Sequence, residues 1–178
     1  RDVDPVTSLL IMEGLGYGCE DNGLAYGLNS QMCAFQPAIL RFGTEEQKQK
    51  ILPAVCRGEK IGAFGITEAE SGSDSYSIQT TAKGVDGGYV LNGRKTYISL
   101  APVCDVAIVF ATLGPELGKW GITAFLVEKG AEGFSLSSAQ DKMGMHTAPL
   151  GELILEDCFV PTENILGEEG SGVSKIGR

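Results

Sequence analysis

The sequence predicts an α+β protein in which a partial N-terminal helical domain precedes a β-barrel or sandwich of about eight, mostly antiparallel strands. Two observations support this fold class. Before residue 60, apolar residues recur every three or four positions, which is the period of a helix with one buried face. After residue 60, short runs with the period of a strand alternate with turn-forming residues.

Three helices are predicted in the first 60 residues. Asp4 followed by Pro5 is a typical helix start, because a capping side chain precedes proline at the first helical position. Thr44 to Gln47 has the pattern of a capping box, and Gly58 ends the helix that follows. The middle helix contains Pro37, which must kink or split it. The predicted ranges are 5 to about 17, 22 to 42, and 45 to 57.

The apolar faces of these helices are larger than the helices can bury against one another, so the helical part is expected to be truncated. Eight short strands follow. Asp86-Gly87-Gly88 and Asn92-Gly93 are turn signals between them. The predicted strands are 61–67, 78–84, 89–91, 95–100, 106–112, 122–128, 134–140 and 153–160.

The amino-acid composition and net charge limit the kinds of partner that the protein can bind. The chain has 178 residues, of which 43% are apolar and 21% charged, and its net charge is −9. This charge disfavours binding to nucleic acid or to anionic membranes. No apolar run approaches the ~20 residues of a membrane span.

The five cysteines are scattered and odd in number, which favours free thiols in a reducing compartment. The chain has a single histidine, His146, so a zinc site or a Ser-His triad is not expected.

The stretch 63–74 begins as a short strand and ends in a turn of small polar residues. The strand presents the hydroxyl of Thr67 at its end, and Gly72 frees the backbone for conformations that a side chain would forbid. Such an edge suits a flat, hydrogen-bonding cofactor that carries a phosphate. Without a ligand, the same residues are an ordinary strand and turn.

The segment 95–99 repeats this pattern with an aromatic, an aliphatic and a hydroxyl residue in sequence. Further motifs follow at 143–147, 152–161, 164–167 and 170–172. In this order and at these spacings, the motifs resemble those of the acyl-CoA dehydrogenases, a family of flavin enzymes. The resemblance runs through essentially the whole chain.

The resemblance implies a protein of three domains: an N-terminal helical domain, a middle β-domain and a C-terminal helical domain. Residues 1–60 would be the end of the first domain, 61–170 the whole of the second, and 171–178 the start of the third. Two loops depart from the family pattern. Leu100-Ala101 stands where family members often have Asn-Gly, and Ala69-Glu70-Ser71 stands where they often have Pro-Gly-Ala. These departures leave the substrate class open.

The resemblance also implies the cofactor, FAD, and the residues that contact it. Hydroxyls of Thr67 and Ser99 suit the polar edge of the flavin, and Tyr97 suits its ring face. Ser73 would also approach the CoA part of the substrate. Apart from this resemblance, Tyr97 and both hydroxyls are ordinary strand positions. The predicted cofactor-binding residues are Phe64, Ile66, Thr67, Gly72, Ser73, Tyr97, Ile98 and Ser99.

The predicted reaction is FAD-dependent α,β-dehydrogenation of an acyl-CoA or acyl-carrier-protein thioester. By resemblance, the catalytic base is a glutamate of the C-terminal domain, so no catalytic residue is expected in this chain. Glu68 and Asp74 are nearby carboxylates, and Asp74 is better explained as an acceptor within its own turn. No metal site is expected.

Two other functions remain open: a flavin oxidase or monooxygenase of the same fold, and a non-catalytic homologue acting as a binding or assembly subunit. A ligand-binding β-barrel without flavin is the simplest alternative. The resemblance further implies a homodimer or homotetramer, with electron-transfer flavoprotein as a candidate electron acceptor. The compartment would be the bacterial cytoplasm or the mitochondrial matrix.

Overall fold

The computed structural model describes residues 4–176. The helical part confirms the predicted order of helices. A π-helical turn, Gln31–Phe35, joins the second helix to the third. The helices are α1 Pro5–Gly18, α2 Asn22–Ser30, α3 Gln36–Phe42, α4 Glu45–Cys56 and a four-residue α5, Val173–Ile176. Residues 177 and 178, within the predicted third-domain start, lie outside the described range.

The predicted capping groups hold the helix ends. The Thr7 amide donates to the Asp4 carboxylate over 3.2 Å at the start of α1. At α4, the Gln47 amide donates to the Thr44 hydroxyl over 3.2 Å, and the Thr44 amide donates to the Gln47 side chain over 3.0 Å. The π-helical turn ends just before Pro37, which has no amide hydrogen for the regular ladder. The predicted kink is therefore a local widening of one continuous helical run.

Within residues 4–176, seven strands form one sheet, whose order is β1-β4-β2-β3-β7-β6, with β5 paired to β4. Most pairs are antiparallel, whereas β1 runs parallel to β4, and β2 meets β4 in parallel at a single residue pair. The sheet curls into a half-barrel. The strands are β1 Gly62–Gly65, β2 Thr81–Val85, β3 Gly88–Ser99, β4 Val106–Thr112, β5 Ile122–Glu128, β6 Phe134–Leu136 and β7 Leu150–Pro161.

The predicted turn at Asn92-Gly93 is wrong, and the two strands expected around it are the single strand β3. The register of β3 against β7 shifts between Leu91 and Gly93, which marks a β-bulge. The Asn92 side chain donates to the Asp157 carboxylate over 3.0 Å and accepts the Asp157 amide over 2.8 Å. Turn-forming residues here bridge two strands instead of reversing the chain.

Strands β4 and β5 are buried on both faces and separate two apolar clusters. One cluster fills the curled sheet. The other joins the opposite faces of β4 and β5 to α3, α4 and Phe35 of the π-helical turn. Gly62 permits this contact, because a Cβ atom at this position would lie 2.2 Å from the Phe35 ring. The helices are thereby packed directly against β4, β5 and β1, and the chain that leaves β1 leads to Thr67.

Helix α1 has no buried residue between positions 5 and 18. Its apolar side chains lie open, including Leu9 at 70% and Leu10 at 60% exposure. Within residues 4–176, this apolar face of α1 is uncovered. Among the described residues, no helix has the length and apolar character needed to cross a membrane.

All five cysteines are free, as predicted. Cys104 and Cys158 are buried in the sheet core. Burial raises the pKa of Cys104 to about 12 and that of Cys158 to about 11, so both are neutral thiols at physiological pH.

Candidate functional site

The two segments expected to contact the cofactor lie side by side. The chain leaving β1 runs along the second half of β3, where the Thr96 amide donates to the Thr67 carbonyl over 2.9 Å. The Lys95 ammonium donates to the Ile66 carbonyl over 3.2 Å. Residues that are about thirty positions apart in sequence therefore form one edge of the molecule.

A buried ion pair joins these two segments. Lys95 Nζ lies 2.6 Å from Glu68 Oε1, and the exposed fractions of the two side chains are 0% and 6%. Glu68 also accepts the Gln79 amide over 2.5 Å, the Thr80 amide over 2.9 Å and the Thr80 hydroxyl over 2.5 Å. Both carboxylate oxygens are thus engaged, which is the condition for burying a charge at low cost.

The environment shifts the pKa of both partners. For Glu68, burial raises the pKa, but the Coulomb attraction of Lys95 and the hydrogen bonds from Lys95, Thr80 and Gln79 together lower it below its ordinary value. Burial lowers the pKa of Lys95 to about 8, and the attraction and hydrogen bond of Glu68 oppose that fall. Glu68 is therefore an ionised structural acceptor and is not available to take a proton from a substrate.

A second β-bulge places Tyr97 at the surface. The register of β3 against β7 shifts between Lys95 and Ile98. Tyr97 has a φ of 55°, which is a genuine outlier for a bulky residue. Its ring is 64% exposed, whereas its neighbour Ile98 is 2% exposed. Strain of this kind concentrates at functional sites, so the bulge marks Tyr97 as a candidate ligand contact.

Ser99 ends β3 directly after this bulge. Its Oγ lies 3.0 Å from the phenol oxygen of Tyr26 on α2. Leu100 follows with a φ of 65°, at the position where family members often have Asn-Gly, and its amide donates to the Pro149 carbonyl over 2.7 Å. Leu100 thus keeps a left-handed backbone, which asparagine and glycine adopt more readily.

The predicted cofactor-binding residues divide by where their side chains lie. Phe64 and Ile66 pack into the cluster shared with the helices, and the Phe64 ring centroid lies 5.1 Å from that of Phe110. Ile98 is in the sheet core. The buried Ile98 therefore offers only backbone groups to a ligand, whereas Phe64 and Ile66 are partly buried. The half-buried Thr67 has a hydroxyl that makes no hydrogen bond within residues 4–176.

The turn that follows Glu68 is closed by its own polar groups. Glu68 and Ser71 exchange backbone hydrogen bonds of 2.9 and 3.3 Å. Asp74 accepts the Ser77 hydroxyl over 2.5 Å, as expected for an acceptor within a turn. Gly72 and Ser73 are exposed, and a Cβ atom built at Gly72 would meet nothing within 4 Å. The expectation that Gly72 adopts a conformation forbidden to side chains is wrong, because its φ is not in the left-handed region. A ligand can approach the backbone closely at this point.

An apolar cleft of about 290 Å³ opens beside Ser99, between α2 and the segment that follows β3. Sequence reasoning missed this cleft. The signal that was present is the spacing of Gly23 and Gly27, which lie one helical turn apart on α2 and both line the cleft. The other lining residues are Leu24, Leu28, Gln31, Ile61, Leu100, Val103, Thr147 and Pro149.

His146 lies in an exposed loop at a second cleft of about 490 Å³. This loop is tied to α2 because the Thr147 hydroxyl donates to Asp21 over 2.5 Å. Asp21 also caps α2 by accepting the Gly23 amide over 2.9 Å. Across positions 4–176, no group of three His, Cys, Asp or Glu residues could hold a metal ion.

These residues fit FAD. Thr67 and Ser99 place hydroxyl groups at one edge, as the pyrimidine portion of a flavin requires, and the exposed Tyr97 ring offers a face for packing. The open backbone at Gly72 suits a pyrophosphate.

Comparisons with known proteins agree with this geometry. The sequence profile of the family described as "Acyl-CoA dehydrogenase, middle domain" matches residues 63–158, and that of "Acyl-CoA dehydrogenase, N-terminal domain" matches residues 1–59. Relatives include mitochondrial plant enzymes and bacterial enzymes.

Three similar proteins illustrate the relationship. Mitochondrial isovaleryl-CoA dehydrogenase of Oryza sativa subsp. japonica is 43% identical over 92% of this chain and 40% of that protein. The prolyl acyl carrier protein oxidase AnaB is 46% identical, with a TM-score of 0.95 over 98% of this chain and 46% of AnaB. The FAD complex of PigA is 38% identical, with a TM-score of 0.90 over 93% of this chain and 43% of PigA.

The chain thus spans less than half the length of these three proteins. The two profiles nevertheless cover most of its 178 residues, and the motifs, the fold and the site agree with them. The chain belongs to the acyl-CoA dehydrogenase family.

Proposed function

We propose that the protein containing this chain catalyses FAD-dependent α,β-dehydrogenation of an acyl thioester. The supporting observation is the edge formed by Thr67, Tyr97 and Ser99, where hydroxyls and an exposed aromatic ring are held together by the buried Glu68–Lys95 pair. Burying two charges and holding a tyrosine in a strained β-bulge both cost folding free energy. A surface without a ligand would have no use for such features at one place.

FAD supplies the redox chemistry by accepting a hydride from the β-carbon. The residues of this chain bind and orient it. Thr67 and Ser99 donate hydrogen bonds to the polar edge of the ring, and Tyr97 packs on its face. Gly72 and Ser73 lie near the pyrophosphate, and Ser73 also approaches the thioester ligand. Backbone groups of Phe64, Ile66 and Ile98 complete the set.

The catalytic base lies outside these residues. The α-proton of a thioester is weakly acidic, so its removal needs a free carboxylate within hydrogen-bond reach. Glu68 is bound to Lys95, and Asp74 accepts from Ser77 within its turn. We assign the base to a glutamate of a C-terminal helical domain that begins within residues 171–178. Residues 1–60 and 61–170 are the end of the N-terminal domain and the middle domain.

The apolar cleft beside Ser99 receives the acyl group in this proposal. Its volume of about 290 Å³ and its position between α2 and Leu100 suit a short or branched acyl chain or a prolyl group. The similarity to isovaleryl-CoA dehydrogenase and to a prolyl acyl carrier protein oxidase supports both kinds of group. The thioester carrier is CoA or a carrier protein.

A flavin oxidase is the second candidate function, and the similarity to AnaB, which is named an oxidase, supports it. A dehydrogenase passes its electrons to a partner such as electron-transfer flavoprotein, whereas an oxidase passes them to oxygen. Oxygen consumption during turnover separates the two. We further propose a homodimer or homotetramer in a reducing compartment, either the bacterial cytoplasm or the mitochondrial matrix.

The experiment that tests the proposed function replaces the two hydroxyls. In the full-length protein, Thr67→Val and Ser99→Ala each remove a hydrogen bond to a ring that gains charge on reduction. Such a bond contributes about 1.5–3 kcal/mol, so the flavin potential should fall in each variant. Exposed Thr162→Val and Ser135→Ala serve as matched controls. Unchanged potentials in both site variants, or a wild-type protein without FAD, would contradict the assignment.

A further inference from the structure

Tyr26 connects the helical part of the chain to the candidate flavin edge. Its phenol oxygen lies 3.0 Å from Ser99 Oγ, and the two residues are 73 positions apart in sequence. The phenol belongs to α2, whereas Ser99 ends β3 directly after the strained Tyr97. This contact between side chains thus joins two parts of the chain at the residue proposed to bind the ring.

Because Ser99 has one hydroxyl proton, its side chain can donate only one hydrogen bond. A serine hydroxyl has one proton to donate and two lone pairs that accept. If Ser99 donated its proton to Tyr26, it would have none left for a flavin atom. If Tyr26 donates instead, the Ser99 proton remains free to point outward. A phenol is more acidic than an aliphatic alcohol, so Tyr26 is the better donor of the two.

We infer that Tyr26 is a positioning residue for the flavin: its phenol donates to Ser99 and thereby directs the Ser99 proton toward the polar edge of the ring. This inference rests on the proposed function, because it takes Ser99 as a ligand of FAD. It adds a residue of the helical domain to a site that the sequence motifs confine to the β-domain.

The surroundings of Tyr26 show that its hydroxyl is not needed for packing. The side chain is 43% exposed and belongs to neither apolar cluster. The neighbours Gly27 and Leu100 line the apolar cleft, whereas Tyr26 and Ser99 are not among its lining residues. A change that removes only the hydroxyl should therefore alter the site while leaving the fold unchanged.

The test is a double-mutant cycle in the full-length protein with its FAD bound. Tyr26→Phe, Ser99→Ala and the double variant are titrated anaerobically against redox dyes, and the equilibrium constant for FAD reduction is measured. Tyr17→Phe is the matched control, because Tyr17 is 96% exposed and its phenol makes no hydrogen bond within residues 4–176. The melting temperature of each apo-protein is recorded as a measure of the fold.

We expect Tyr26→Phe to lower the equilibrium constant about two- to tenfold, the change that the loss of one hydrogen bond brings. The same substitution should have no effect once Ser99 is alanine, because Tyr26 acts through Ser99. The Tyr17→Phe control and the apo-protein melting temperatures should match the wild type.

The results distinguish a failure of the inference about Tyr26 from a failure of the proposed function. If Ser99→Ala shifts the equilibrium constant and Tyr26→Phe does not, the inference is overturned and the proposed function stands. Equal effects of Tyr26→Phe in both backgrounds would also overturn it. If Tyr26→Phe loses FAD, an unchanged apo-protein melting temperature supports positioning, whereas a lowered one overturns it. A wild-type protein without FAD contradicts the proposed function itself.

Discussion

Glu68 and Lys95 bring two opposite charges into the interior beside the candidate site. Removing charges from water is expensive, and their attraction compensates only when the geometry is good and the remaining groups are satisfied. Here Glu68 accepts from Lys95, Thr80 and the Gln79 amide, and Lys95 also donates to the Ile66 carbonyl. The pair therefore aligns the segments that carry Thr67 and Tyr97, and its main role is to hold their geometry.

Lys95→Met should strongly destabilise the protein, because it leaves Glu68 buried without its counter-ion. Removing one partner of such a pair costs about 3–5 kcal/mol. Adding Glu68→Gln to Lys95→Met should restore part of this loss, because the uncompensated charge is then gone. Urea unfolding of the single and double variants measures the coupling. Losses that simply add would show that the two charges do not stabilise each other.

Stability should depend on pH through Glu68. Its pKa in the folded protein lies below 4.5, so the unfolded chain takes up a proton first as the pH falls. The stabilising contribution is present above this ordinary value and is lost as the pH falls through the folded pKa. Glu68→Gln should lose less stability than the wild type over this acidic range. Exposed Glu70→Gln is the control, and parallel curves for Glu68→Gln and the wild type would refute the assignment.

The sequence indicated Thr67 and Ser99 as hydroxyls of the site, but it gave no sign of the ion pair. Glu68 and Lys95 are 27 positions apart, and lysine in a strand is usually a solvated residue. Only the curling of β3 against the chain that leaves β1 brings them together. Tyr26 is a similar case, since its partner belongs to a distant strand.

At the level of elements, the pairing of β3 with β7 departs from the predicted pattern at two β-bulges. The extra residue lies in β7 at the first bulge, where Asp157 has a φ of 49°, and in β3 at the second. Asn92 and Gly93 are strong turn formers, yet here the Asn92 side chain bonds to Asp157 across the sheet. The bulge at Tyr97 turns its ring outward, while Ile98 keeps its place in the core. Local turn propensity does not distinguish a reversal of the chain from a bulged strand pair, because turn-forming residues such as Asn and Gly occur in both.

Tyr97→Gly should separate stability from cofactor binding. The left-handed backbone of Tyr97 costs about 1–3 kcal/mol, and glycine adopts it without strain. The added freedom of glycine in the unfolded chain offsets about 0.5–1 kcal/mol of this gain. The apo-protein should therefore be as stable as the wild type or more stable, while FAD dissociates more readily.

Tyr97→Phe is the matched variant, because it keeps the ring and removes only the hydroxyl. Its affinity for FAD should stay close to that of the wild type if the ring face makes the contact. Urea unfolding of the apo-proteins and FAD titration of all three proteins are the measurements. A Tyr97→Gly protein that is less stable but holds FAD normally would mean that the bulge serves the fold alone.

For the molecule as a whole, the sequence predicted the order of the helices because capping side chains mark the starts of α1 and α4, and it predicted strands from their alternating pattern. Thr44 and Gln47 form the expected capping box, and β4 and β5 have the predicted bounds. It did not predict that β4 would be buried on both faces. That burial depends on how α3 and α4 pack on the sheet, through contacts such as Phe35 on Gly62.

The open surfaces of the whole chain explain why it should be inactive alone. Tyr97 is 64% exposed, Gly72 and Ser73 lie on an open turn, and the apolar face of α1 is uncovered. The site therefore has one wall, and a ring bound against it would remain in contact with water. Electrostatic and hydrogen-bond contributions are weak in such a wet site.

Residues 1–178 alone should therefore bind FAD weakly, whereas the full-length protein should purify with FAD. Even when saturated with FAD, the 178-residue chain should not bleach the flavin absorbance when acyl-CoA is added anaerobically. The reason is that Glu68 is bound to Lys95 and Asp74 accepts from Ser77 within its turn, so neither of these two carboxylates is available to take the α-proton.

Glu68→Gln in the full-length protein is the control for this prediction. It should still allow flavin reduction by substrate, although FAD should be held less firmly because the two segments lose their link. Gel filtration followed by absorbance measures retention of FAD, and anaerobic mixing with a short-chain acyl-CoA measures reduction. Rapid bleaching by the 178-residue chain, or complete loss of reduction in Glu68→Gln with FAD still bound, would place the base within this chain and refute its assignment to a C-terminal domain.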